Sequence, residues 1–174
     1  MSTIYVCPLS RLNQTVADTG ARYVVTAINP WSIPETPPGV ADDDHLRLAI
    51  NDITFPHKDL VNPEPRHITR LIDFAERWNR DGPLVVHCLA GISRSSASAF
   101  IIACALSRDV DEARIANHLR KASETAQPNL LMIRHADAIL GRNGRMVAAI
   151  EALPPALATL EADIFSLPSE FGSP

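Results

Sequence analysis

Short apolar runs alternate along the chain with longer segments whose apolar residues recur at three and four positions, and this alternation sets the expected order of elements. Residues 4–6, 22–28, 45–50 and 84–86 read as strands, runs of aliphatic and β-branched residues bounded by turn formers. Between them, residues 11–19 are expected to form a short helix stopped by Gly20. A second helix, opened by Asn62-Pro63-Glu64, carries an apolar stripe of Ile68, Leu71, Ile72, Ala75 and Trp78 to a stop at Gly82. Residues 97–106 are apolar on every side, which predicts a helix with no face toward solvent. Asp109-x-x-Glu112 predicts the start of a helix to about Ala122, and Asn129 the start of another that ends at Leu140 and Gly141. Residues 29–44, with Pro30, Pro34, Pro37, Pro38, Gly39 and the run Asp42-Asp43-Asp44, read as a surface loop. At the C-terminal end, residues 145–153 and 156–165 are expected as two helices separated by Pro154-Pro155, and residues 166–174 as a frayed tail.

Strands that alternate with helices imply an α/β sheet covered on both faces. The chain has 174 residues, 46% of them hydrophobic, enough for a proper core. Sixteen basic against 20 acidic residues give a net charge of −4 with no basic stripe, which argues against nucleic acid and against an anionic membrane surface as partners. Cys7, Cys88 and Cys104 form an odd set without disulfide spacing, and residues 1–10 carry neither a basic nor an apolar leader region. No apolar run approaches ~18 residues. A cytoplasmic protein whose thiols stay reduced is expected.

One junction carries candidate chemistry. The strand at 84–86 runs into His87-Cys88-Leu89-Ala90-Gly91-Ile92-Ser93-Arg94-Ser95-Ser96 and then into the all-apolar helix, so Cys88 falls at a strand end and Arg94 at a helix start. The first amides of a helix lack intrahelical partners and carry roughly half an elementary positive charge, so a loop wrapped over that end is an anion cradle. Helix N-termini and neighbouring cations favour a cysteine's thiolate, which makes Cys88 the candidate nucleophile. Arg94 can grip two phosphoryl oxygens with a planar fork that lysine cannot reproduce. Attack of sulfur on phosphorus releases an alkoxide or phenoxide that needs a proton, so a carboxylic acid is expected above the cradle. Asp52, Asp59, Asp43 and Asp44 are all candidates for it.

His87-Cys88-x5-Arg94-Ser95 resembles the signature loop of cysteine-dependent protein phosphatases, and Val85-Val86 before it and Ser95-Ser96-Ala97 after it resemble the small dual-specificity branch. The resemblance extends over residues 4–140. It implies an α/β fold with a small, mainly parallel central sheet flanked by helices on both faces and a phosphatase-like domain over residues 1–141; residues 142–174 lie outside the resemblance and are expected, from their own pattern, as a helical extension and tail packed on the same domain. It also implies residue roles. Cys88 attacks to form a cysteinyl-phosphate, Arg94 clamps the phosphate, Asp52 from an upstream loop is the general acid, and the Ser95 hydroxyl eases departure of the cysteine. His87 braces the loop, while Leu89, Ala90, Gly91, Ile92 and Ser93 complete the phosphate cradle. No cofactor is implied. His45, His57, His67, His118 and His135 have no ligand-like spacing, so no metal is expected.

The loop carries no lysine, whereas a polyphosphorylated ligand would favour extra cations. The expected partner is therefore a phosphorylated protein, on tyrosine or on serine and threonine, or another small phosphate monoester. Phosphate, sulfate or vanadate is expected to inhibit by occupying the loop. Cys7 and Cys104 are expected as small apolar residues, either able to shield Cys88 as a disulfide. Two alternatives compete: a catalytically idle phosphate-binding module, and a rhodanese-like sulfurtransferase, whose cysteine loop also precedes a helix but needs no aspartic acid.

Overall fold

The computed structural model describes residues 2–172. Its strands are β1 (Thr3–Pro8), β2 (Tyr23–Ile28), β3 (His45–Ala49), β4 (Leu84–Cys88) and β5 (Phe165–Pro168), joined in one sheet in the order β3-β2-β4-β1-β5. The first four are parallel, and β5 runs antiparallel to β1 at the edge. Helices α1 (Leu12–Thr19), α2 (Pro65–Arg77), α3 (Arg94–Leu106), α4 (Glu112–Ala122), α5 (Leu130–Ile139) and α6 (Arg145–Glu151) cover it.

Pleating sends alternate strand residues to opposite faces. Cys7, Val24 and Val85 meet Leu12 and Val16 of α1 on one side. Val6, Val25 and Val86 meet the large core built by α2 to α6 on the other. At the centre of that core is α3, buried from Arg94 to Ala105, as its all-round apolar sequence requires. A strand of five buried residues and a helix buried over all but its last residue thus meet head to tail, and Cys88 and Arg94 mark their facing ends.

Several boundaries differ from the sequence expectation, each for a local reason. Helix α2 starts two residues later than Asn62-Pro63 suggests, because Pro65 rather than Pro63 takes the first turn and forces Glu64 into an extended conformation. Glu64 and His67 then form a reciprocal cap, with the Glu64 amide donating to His67 Nδ1 at 3.0 Å. The helix ends at Arg77, short of Gly82; Trp78 turns out of it, stays buried, and donates from Nε1 to the Gly82 carbonyl. In α4 the cap is Asp111, not Asp109, accepting from the Ala113 amide at 2.9 Å. Glu112 is instead a buried ion held by Arg142 and Arg145.

The larger correction lies in the last thirty or so residues. Helix α6 forms, its amino end capped by Asp137, which accepts from the Gly144 and Met146 amides. Residues 156–165 form no helix. They run as an irregular strap, with the Leu157 amide bonded to the Glu124 carbonyl and the Ala162 amide to the Ala90 carbonyl. Nor do residues 166–172 fray as a whole: Phe165 and Leu167 alternate inward, and β5 satisfies the open edge of β1. Ser173 and Pro174 of the expected tail lie outside the described residues. Among the described residues no helix is long and apolar enough to cross a membrane.

Candidate active site

The loop between β4 and α3 is held from outside by its carbonyls. Those of Leu89, Ala90, Ile92 and Ser93 accept from the amides of Leu9, Ala162, Gln127 and Asn129 respectively. In a planar trans peptide the next amide points the opposite way, so these bonds turn the N–H groups of Ala90, Gly91, Ser93 and Arg94 toward the centre of the loop. Gly91 makes the curvature possible. Its φ is +74°, and a Cβ there would stand 2.9 Å from the Pro8 nitrogen. The result is a ring of donors at the start of α3, a geometry that suits an oxyanion.

Cys88 is buried at the floor, with Sγ 3.1 Å from the Ser95 hydroxyl. Arg94 is buried beside it. Its Nη1 donates to Asn29 Oδ1 and to the Ile50 carbonyl, both at 2.8 Å, while Nε is buried and has no hydrogen-bond partner among the described residues. A charged donor without an acceptor is costly inside a fold unless an anion completes it.

Asp52 stands above this point. Its Oδ1 accepts from Ser93 Oγ at 2.7 Å and from Asn129 Nδ2 at 2.8 Å, and its Oδ2 faces Arg94 Nε at 4.0 Å. The loop that carries it is closed at its base by Asn51 and Val61, bonded in both directions at 2.9 Å. Asp59 is exposed outside the cavity wall, and Asp43 and Asp44 lie in a turn before β3, at the opposite end of the strands from Cys88. Asp52 is thus the member of the candidate set that the fold brings to Cys88 and Arg94.

His87 is fully buried on the α1 face, where a polar row replaces the apolar one: His87 Nε2 and His45 Nε2 each lie 2.7 Å from Thr26 Oγ1. His87 Nδ1 lies 3.3 Å from the Cys88 carbonyl, which can only accept. Nδ1 therefore carries the proton, Nε2 accepts from Thr26, and the Thr26 oxygen accepts from His45 Nε2–H. This arrangement needs His87 neutral, because its Nε2 has to accept, and burial lowers both rings to a pKa of about 4. His87 thus joins the end of β4 to β2 and β3. Cys7 lies on this same α1 face, where burial pushes its thiol up to about 11, and burial raises Cys104 as well.

A cavity of about 790 Å³ opens over the loop. Asp52 and Thr54 form one wall, Arg120 and Asn129 another, and Leu153 to Ala156 of the C-terminal segment a third. Three of the residues that hold this site were not singled out from the sequence as part of it. Asn29 directly follows β2 and holds Arg94. Thr26 bridges the two histidines. Asn129, legible as the cap of α5, also donates to the carboxyl of Asp52 and through its amide to the Ser93 carbonyl. Their position at the carboxyl ends of strands or at a helix start is the one signal that could have found them. Among the described residues no cluster of His, Cys, Asp or Glu is placed to hold a metal ion.

The family model of protein-tyrosine phosphatases matches residues 52–130. No curated protein matches the sequence. Among solved structures, DUSP15 is similar with a TM-score of 0.62 at 14% identity, over 87% of this chain and 92% of its own. Human DUSP28 is similar with a TM-score of 0.62 at 19% identity, over 80% and 89%. A mouse putative dual specificity phosphatase complexed with zinc tungstate is similar with a TM-score of 0.56 at 20% identity, over 79% and 80%. The fold is shared with these small phosphatases.

Proposed function

We propose, for a chain whose residues 52–130 match the protein-tyrosine phosphatase family and whose fold is that of the dual-specificity enzymes, that it hydrolyses phosphate monoesters on proteins through a cysteinyl-phosphate. The observation that carries the reading is the buried Arg94 Nε, without a hydrogen bond and 4.0 Å from Asp52, beside a ring of inward amides and within the same loop as Cys88. The tungstate complex of the mouse phosphatase supports an oxyanion as the occupant.

In this reading Cys88 sulfur bonds to phosphorus as the ester P–O bond breaks, and the departing oxygen takes its proton from Asp52. The Arg94 edge left open by Asn29 and Ile50, together with the loop amides, stabilises the charge that spreads over the equatorial oxygens. Water then attacks phosphorus and gives its proton to Asp52, the S–P bond breaks, and the returning thiolate accepts from Ser95, 3.1 Å away. The presence of all four groups favours turnover over idle binding, and the acid fixed over the loop favours phosphoryl over sulfur transfer.

The test is turnover of aryl phosphates. The wild type should hydrolyse p-nitrophenyl phosphate, and Cys88→Ser should lose turnover yet bind vanadate. Asp52→Asn should cost about 10²–10⁴-fold with phenyl phosphate and much less with the nitro-activated ester, whose leaving group needs a proton least. A wild type inert toward every aryl phosphate and phosphopeptide would falsify the reading.

A further inference from the structure

Among the described residues, most of the eight large apolar side chains left in solvent lie on, or within two residues of, a residue that lines the cavity over the loop or is bonded to that loop. Leu89 lines the cavity itself, and Phe55, Val61 and Leu157 each directly follow a residue that does, namely Thr54, Leu60 and Ala156. Leu160, 97% exposed, lies two residues before Ala162, whose amide is bonded to the Ala90 carbonyl of the loop. Trp31, 72% exposed, lies two residues past the cavity-lining Asn29. Surface hydrophobic residues scattered singly need no explanation, but a set concentrated at one opening marks a contact surface.

The C-terminal part of this rim is firmly mounted. Its backbone is tied at Leu157 to Glu124 and at Ala162 to Ala90, each at 2.9 Å; Glu161 accepts from Ser10 at 2.8 Å, and β5 anchors the far end on β1. Pro154 and Pro155 restrict the near end. Leu157 and Leu160 are therefore presented beside the loop by main-chain bonds, with their own side chains left uncovered.

We propose that residues 153–162 are a substrate-selecting wall that receives the apolar side chains flanking the phosphorylated residue of a protein substrate. The proposal rests on the phosphatase reading and adds a substrate preference to it. Charge favours a peptide over a lipid surface. Asp52 and Glu151 line the cavity, Glu124 and Glu161 are exposed beside it, and the two lining arginines, Arg94 and Arg120, are partly or wholly withdrawn from solvent. An anionic bilayer is attracted by exposed cations and would meet these carboxylates instead. An apolar or basic peptide meets no such penalty.

The experiment compares kcat/KM for two phosphotyrosine peptides of equal charge that differ only in having leucine and valine, or serine and threonine, beside the phosphorylated residue. The wild type should favour the apolar flanks by about tenfold, the worth of one leucine-sized contact. In Leu157→Ser/Leu160→Ser, with each rate normalised to p-nitrophenyl phosphate turnover of the same sample, that preference should fall to about unity. Should the double variant lose aryl phosphate turnover through misfolding, Leu160→Ser alone carries the comparison. Equal rates on the two peptides, a preference that survives the variants, or faster turnover of phosphatidylinositol phosphate in vesicles overturns the proposal. Each of those outcomes leaves aryl phosphate turnover intact, whereas its absence in the wild type overturns the phosphatase reading itself.

Discussion

His87 and His45 share one threonine hydroxyl, and that sharing makes the loop's support sensitive to acid. Each ring is held at a pKa of about 4, chiefly by burial, below the ordinary histidine value near 6.5. Between those values the unfolded chain binds protons that the folded one refuses, so the stability from these rings is complete above about pH 6.5 and is lost as pH falls toward 4. In His45→Gln an amide can still donate to Thr26 but nothing titrates. Its stability should therefore fall less steeply between pH 6.5 and 5, by up to about 1.4 kcal/mol per pH unit, in denaturant titrations. A slope unchanged from the wild type would remove His45 from the account. Residues of this kind separate what could be read from the sequence from what could not. Cys88, Arg94 and Ser95 are fixed by spacing within one short stretch, and the strand before and the helix after them are local patterns. Thr26, Asn29 and Asn129 reach His87, Arg94 and Asp52 through contacts 61, 65 and 77 positions away along the chain, and nothing in their own neighbourhoods distinguishes them from an ordinary strand threonine or helix cap.

At the scale of elements, the strands and α3 were legible because each is declared by its own residues: period-two or continuous apolar runs for strands, and no polar face for the helix. The strap and β5 were not. Residues 156–165 contain enough leucine and alanine to suggest a helix, but their fate is decided by partners about 70 and 160 positions away, Ala90 on the loop and the open edge of β1. Glu112 was misread for the same reason. It looks like a capping acid, and only the fold brings Arg142 to it at 3.0 Å and Arg145 at 3.1 Å. Arg142 also donates to the Cys104 carbonyl at 2.7 Å and the Arg108 carbonyl at 2.9 Å, so it closes the exit of α3 while it pairs with α4. Removing one member of a buried pair leaves the other charge poorly compensated, typically at about 3–5 kcal/mol. Arg142→Met should therefore lower the unfolding free energy by that amount in urea titrations. Adding Glu112→Gln should recover part of it, because the stranded charge is gone. If the double variant is no better than the single one, the loss lies in the α3 carbonyls rather than in the ion pair.

For the molecule as a whole, the loop from Cys88 to Arg94 is where distant parts of the chain converge. Its carbonyls are held by the end of β1, the linker between α4 and α5, and the C-terminal strap, while its arginine is held by the ends of β2 and β3. Beneath Asp52, what converges there presents positive potential to the centre: inward amides, the amino end of α3 and an arginine whose Nε has no hydrogen-bond partner. These like-signed donors are brought together by folding and have no counterpart in the unfolded chain. An oxyanion that fills the loop therefore binds the folded state alone and stabilises it by mass action, about 2.7 kcal/mol at a concentration 100 times its dissociation constant. For a chain of this size that corresponds to a rise of roughly 5–10 °C in thermal midpoint. Vanadate, tungstate and phosphate should each raise the midpoint in a concentration-dependent way. Cys88→Ser should retain the rise with phosphate, since the cradle is intact. Arg94→Lys should lose most of it, because lysine keeps the charge but cannot span two oxygens from the position that Asn29 and the Ile50 carbonyl define. A midpoint that does not respond to these anions, or that rises equally in Arg94→Lys, would mean that the anion is bound elsewhere on the molecule.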